Sequence, residues 1–158
     1  MSVFLWRIGT DTPDYTADDV SGAGAEKTGG RWNRIGNPVL YTSPSIALAC
    51  LETVVHLGVS ALPLNRFLVR LEVPDPVWAK RMILSPAPVG WEAEPAGAVS
   101  LDAGDHWLAS RDSALLLVPS VIVPEEFNVL VNPAHPDSAT LIVSKMRQFR
   151  YDARLARP

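Results

Sequence analysis

Apolar residues in this chain come in short runs punctuated by proline and glycine, and the period of each run predicts its element. Val3-Phe4-Leu5-Trp6-Arg7-Ile8 predicts a first or edge strand over Met1–Gly9. Arg7 interrupts its apolar run and reads equally as a solvent-facing charge or a site residue. Asp11–Lys27 is polar and small, a loop with at most one helical turn at Ala17–Val20. Gly29–Tyr41 reads as a glycine-rich turn followed by a short strand, Pro38–Tyr41. Pro44–Leu57 then predicts a helix, with Ser43 as N-cap, Pro44 at the first helical position and Gly58 just past the end. Its apolar residues run almost all round, the pattern of a mostly buried helix.

Further along, Asn65–Val73 alternates in its second half and predicts a half-buried strand ended by Pro74 and Pro76. Val77–Leu84 predicts another strand and Pro86–Gly97 a proline-bearing loop. Leu101–Ser113 predicts a helix with Trp107 and Leu108 inward; His106 beside them reads as structural rather than catalytic. Ala114–Val123 predicts a buried strand, a bend at Pro119-Ser120 and a second short strand. Ser120 is there either a satisfied core hydroxyl or a site residue at the bend. Pro124–Asn132 carries Asn128 and Asn132, the latter before Pro133 as in a turn, and Ser138–Gln148 fits helix or strand.

Composition narrows the class. At 158 residues the chain is read as one domain, 1–158, able to bury a full core. Hydrophobic content of 47% and charged content of 20% are those of a globular protein. A net charge of -3 and a pI near 5.5 argue against non-specific nucleic-acid binding by the whole surface. The single cysteine, Cys50, leaves no internal disulfide and points to a reducing, cytoplasmic setting. No apolar run has the length of a transmembrane helix, and the N-terminus lacks signal-peptide features, so no membrane association is expected. The basic residues Lys145, Arg147, Arg150, Arg154 and Arg157 read as a solvated C-terminal tail ahead of a nucleic-acid or partner contact.

Candidate chemistry centres on Gly29–His56. Between Ser45 and Leu57, Glu52 is the only normally charged residue, and a carboxylate among apolar neighbours needs a partner. His56, four residues on, would share its helical face, with Ser45 and Leu48 further along the stripe. A structural ion pair is the plain alternative to a catalytic acid. Metal binding is not expected, because one cysteine and histidines at 56, 106 and 135 show no ligand spacing. Gly22, Gly24 and Lys27 fit neither the phosphate loop nor the dinucleotide fingerprint, and there is no Gly-x-Ser-x-Gly elbow. What remains is Arg31, Tyr41 and Glu52: a guanidinium for phosphate, an aromatic face for a planar cation, and a carboxylate for an oxocarbenium-like centre and ribose hydroxyls. NAD⁺ carries all three features.

Several separated motifs resemble the RES domain, the toxin half of RES–Xre toxin–antitoxin modules. They are Gly29-Gly30-Arg31-Trp32-Asn33 with Gly36, Pro38-Val39-Leu40-Tyr41-Thr42, Ala47–Glu52, Gly104-Asp105-His106-Trp107-Leu108, Val118-Pro119-Ser120, Pro124-Glu125-Glu126-Phe127-Asn128 and Asn132-Pro133. They run in order along nearly the whole chain with no long insert; the departure is the stretch Ser85–Val99, which matches no part of the family pattern. The resemblance implies an α/β (α+β) domain similar to ADP-ribosyltransferase toxins, with a split β-sheet core and flanking helices. It implies NAD⁺ as substrate rather than bound cofactor, with Arg31, Tyr41 and Glu52 catalytic. Gly30, Trp32, Asn33, His56, Ser120 and Asn128 would line or shape the NAD⁺ pocket. The implied function is a type II toxin that cleaves the nicotinamide–ribose bond by hydrolysis or phosphorolysis and depletes NAD⁺; the alternatives are ADP-ribosyl transfer to a host protein and a non-enzymatic antitoxin-binding module. The implied partner is an Xre-type antitoxin that blocks the cleft in a hetero-oligomer, with no direct nucleic-acid contact by this chain.

Overall fold

Two antiparallel systems stack against one another and share one apolar layer. The structure is a computed structural model that describes residues 2–58 and 62–156; Met1 and Arg157 lie outside them. In chain order the elements are β1 (Ser2–Thr10), α1 (Ala23–Thr28), β2 (Leu40–Thr42), α2 (Ile46–Val54), β3 (Arg66–Pro74), α3 (Asp75–Ala79), β4 (Met82–Ile83), α4 (Ala98–Ser110), β5 (Leu115–Pro119), β6 (Phe127–Val131) and β7 (Ile142–Gln148). One sheet has the order β1-β3-β7, the other β2-β6-β5-β4. All pairings are antiparallel except β4 with β5. This is the split-sheet α+β class expected from the sequence, and no described helix is long and apolar enough to cross a membrane.

Strand alternation sorts the cores. Leu5, Val69 and Leu71 from the first sheet meet Leu40, Leu115, Val129 and Val131 from the second. The opposite face of the second sheet presents Leu116, Val118, Leu130 and Tyr41 to Trp32, Trp107 and Leu108. On α4 the buried residues are Ser100, Gly104, Trp107 and Leu108, one helical stripe, so Trp107 and Leu108 point inward as predicted. The outer face of the first sheet, with Ile8 and Leu68, receives Cys50 and Val54 of α2. The sheets are joined where Trp6 and Ser43 exchange main-chain hydrogen bonds of 2.8 Å each way.

Several expectations are corrected. Ser43 is not the N-cap: Ser45 caps α2 by accepting from the Leu48 N–H, and the helix ends at Val54. Only Leu48 and Ala49 of α2 are fully buried, since its other apolar residues cover one sheet face rather than fill a core. The helical turn expected at Ala17–Val20 falls instead at α1. A helix begun at Asp75-Pro76 runs to Ala79, into the expected Val77–Leu84 strand, and leaves only the two residues of β4. After Pro119 the chain turns without a second strand before β6. Ser138–Gln148 divides into a helical turn, Pro136–Thr140, and β7. Of the expected basic tail, Lys145 and Arg147 lie on β7, where Lys145 donates to Asp11 at 2.9 Å and lies 4.0 Å over the Phe67 ring, while Arg150 and Arg154 follow the strand and are exposed.

Arg7 is not solvent-facing. It pairs with Val69 on the inner face of β1, two residues from Leu5. Its Nε is buried without a hydrogen-bond partner among the described residues. Burial pushes the guanidinium below its ordinary value, with Asp19 and then Tyr15 partly opposing that shift.

Candidate active site

The edge of the second sheet builds a polar row out of apolar strands. Leu116, Leu130 and Tyr41 oppose one another across β5, β6 and β2. Two residues along each strand the same face carries Val118, Asn128 and Ser43, about 7 Å away by strand rise. Ser120 continues the face beyond Val118, its N–H bonded to the Glu126 carbonyl at 2.9 Å.

Glu52 comes to this row from α2, one turn after the buried Leu48. Its Oε1 accepts from Ser120 Oγ and from Asn128 Nδ2, both at 2.6 Å. Asn128 Oδ1 in turn accepts from Ser43 Oγ at 2.7 Å. Glu52 Oε2 has no hydrogen-bond partner among the described residues. Ser120 is 1% exposed, so it is at once a satisfied core hydroxyl and a ligand of the acid. The partner that a half-buried Glu52 requires is therefore a pair of neutral donors, not a cation.

The glycine-rich turn is fixed by Tyr41. The Tyr41 hydroxyl donates to Asn33 Oδ1 at 2.6 Å and accepts from the Trp32 N–H at 3.0 Å. Burial raises this phenol well above its ordinary value, so it stays protonated and serves as a hydrogen-bonding group, not a base. Asn33, wholly buried, donates to the carbonyls of Ala25 and Asn37 at 2.9 Å and thereby staples the loop. A Cβ on Gly30 would lie 2.6 Å from the Tyr41 hydroxyl, and one on Gly104 would lie 1.7 Å from the Trp32 carbonyl. Only glycine permits the loop to press this closely on β2 and α4. Arg34 binds the loop to α4 through Asp105 at 2.9 Å and Asp102 at 2.7 Å.

Arg31 leaves this turn toward the segment between β4 and α4. Its Nη1 donates to the carbonyls of Trp91, at 3.0 Å, and Ala93, at 2.7 Å, and Nη2 donates to the Glu94 carboxylate. Trp91 stacks on Trp32 with ring centroids 6.0 Å apart.

The structure thus links Tyr41, Glu52, Ser120 and Asn128 through one sheet face and attaches Arg31 to it through the Trp32 main chain. Gly30, Trp32 and Asn33 act as scaffold: Trp32 is 3% exposed and Asn33 fully enclosed. His56 is not brought in. The helix ends before it, so the spacing of four no longer puts it beside Glu52, and it is exposed. Ser43 was missed, although its position two residues after Tyr41 puts it on the same strand face. Two cavities, of about 160 and 230 Å³, are lined by residues other than Arg31, Tyr41 and Glu52.

The RES domain model matches residues 4–154 of the chain. The chain belongs to the RES family. Its relatives agree: it is 57% identical over 159 residues to the "Prs ADP-ribosylating toxin" of Sphingobium sp. strain YBL2, covering 99% of each chain. It is 40% identical to the "Toxin Res" of Yersinia enterocolitica, covering 89% of this chain and 93% of that one. Against the "Toxin Res" of Pseudomonas putida the identity is 36%, over 97% and 99%. This RES-domain toxin therefore carries the family along its whole described core, including both sheets and α2.

Proposed function

We propose that this RES-domain toxin uses NAD⁺ as an ADP-ribosyl donor and that the acceptor is a protein. The observation that carries the reading is Glu52, fixed at one oxygen by Ser120 and Asn128 while the other has no hydrogen-bond partner among the described residues. Two neutral donors orient the carboxylate without cancelling its charge, which a salt bridge would do. The unengaged oxygen can accept a ribose hydroxyl and face C1′ of the nicotinamide ribose. As the C1′–N bond breaks, its electron pair leaves with nicotinamide and positive charge develops on the ribose; Glu52 stabilises that charge. The acceptor nucleophile then bonds to C1′ and gives up its proton. Arg31 supplies the cation for the diphosphate and the Tyr41 ring an apolar face for nicotinamide. His56 has no role in this reading.

Protein as acceptor is favoured by the 57% identical relative named for ADP-ribosylation. Incubating purified protein with labelled NAD⁺ and a cell lysate tests it. A labelled protein band supports transfer. Free ADP-ribose alone, or its phosphate adduct when phosphate is supplied, would replace transfer with hydrolysis or phosphorolysis. A chain that leaves NAD⁺ untouched and still arrests growth would reject the enzymatic reading in favour of a binding module. Within the same proposal, the chain acts in the cytoplasm, where NAD⁺ is available, and an Xre-type antitoxin covers the site in a hetero-oligomer. Co-expression tests this: the antitoxin should co-purify and stop NAD⁺ loss.

A further inference from the structure

We propose that Glu94 is a built-in anionic competitor for Arg31, so that the segment Ser85–Gly97 is a strap that NAD⁺ must unlatch. This rests on the reading that Arg31 receives the dinucleotide phosphates.

Both Nη1 hydrogens of Arg31 are committed to the Trp91 and Ala93 carbonyls, and Nη2 faces the Glu94 carboxylate. The guanidinium charge is thus already neutralised, by an anion on the same chain. The two partners differ sharply in exposure: the Arg31 side chain is 13% exposed and that of Glu94 is 76% exposed. A carboxylate so open to water loses little on being displaced. The arginine, in contrast, needs an anion wherever it goes. Glu94 offers a single oxygen to Nη2, whereas a diphosphate satisfies that need with more oxygens and more charge. Trp91 rides on the same strap and stacks on Trp32, so release of Glu94 frees the segment that covers the arginine. Glu92, two residues away, is exposed and makes no such contact, which supplies an internal control.

The test measures NAD⁺ affinity by calorimetry for the parent, Glu94→Gln and Glu92→Gln, and chymotryptic cleavage after Trp91 for the parent and Glu94→Gln. Removing the competing charge should tighten NAD⁺ binding by about two- to five-fold, the range of an exposed ion pair, with Glu92→Gln unchanged. Without any ligand, Glu94→Gln should be cut faster after Trp91, and inorganic pyrophosphate should speed that cut in the parent but not in the variant. Equal or weaker NAD⁺ binding by Glu94→Gln, or an equal gain in Glu92→Gln, overturns the proposal. So does a cleavage rate that neither Glu94→Gln nor pyrophosphate changes. If the parent binds no NAD⁺ while pyrophosphate still releases the strap, the latch stands and the NAD⁺ reading falls.

Discussion

Replacing Tyr41 by phenylalanine separates the two jobs that this residue has been given. The ring, and with it any stacking surface for nicotinamide, is retained. The hydroxyl is lost, and with it the bonds to Asn33 Oδ1 at 2.6 Å and from the Trp32 N–H at 3.0 Å. Both partners are enclosed, Asn33 at 0% and Trp32 at 3% exposure, so water cannot replace the hydroxyl without opening the loop. An unsatisfied buried group costs roughly 1–3 kcal/mol, and two of them in a loop that can relax slightly give about 2–4 kcal/mol. For a chain of this size that corresponds to a fall in melting temperature of roughly 5–15 °C. Thermal unfolding followed by circular dichroism measures it, alongside kcat for NAD⁺ loss below the new transition. The expected result is a destabilised protein with kcat within a few-fold of the parent. A melting temperature lowered by less than about 2 °C together with a collapse of kcat would refute the reasoning. It would show that the hydroxyl acts on substrate rather than on the loop.

Other perturbations follow from the same contacts. Glu52→Gln should lower turnover of NAD⁺ by about 10²–10³-fold while leaving the fold intact; a folded variant turning over at the parent rate would remove Glu52 from the chemistry. Gly104→Ala drives a methyl group against the Trp32 carbonyl, to 1.7 Å before relaxation, and should lower stability by about 1–3 kcal/mol; an unchanged urea midpoint would contradict the packing described. Burial alone would raise the Asp105 carboxyl, but bonds from Asn37 and from the Arg34 N–H and guanidinium outweigh it and hold it below the usual range. Its contribution to stability is then complete above the ordinary aspartate value of about 3.9 and is lost as pH falls below that. Asp105→Asn should melt lower than the parent at neutral pH, and the gap should close in acid; a gap that persists unchanged to pH 3 would refute the clamp.

Much of the scaffold was legible because local patterns agreed with tertiary demand. β1 and β3 are strands whose alternation matches two buried faces, and α4 has one apolar stripe. Legibility failed where a residue serves a distant partner. Ser43 looks like a cap by local chemistry, but its main chain is used by Trp6 and its hydroxyl by Asn128, so Ser45 caps the helix instead. Arg7 looks like a surface charge until its register opposite Val69 turns it inward. The start of α3 was masked by its apolar run, although Asp75-Pro76 is a helix-start signal. At the site, Arg31, Tyr41 and Glu52 stood out as residue types. The carbonyls of Trp91 and Ala93 that hold Arg31 did not, because a carbonyl leaves no mark on side-chain identity and these lie 60 and 62 residues away.

The two donors that orient Glu52 lie 68 and 76 residues downstream of it. During synthesis the arginine, the tyrosine and the acid all leave the ribosome well before the groups that aim the acid. Until Asn128 has emerged, Glu52 lacks one of the two donors that aim it, so the acid acquires its orientation only when the chain is nearly finished.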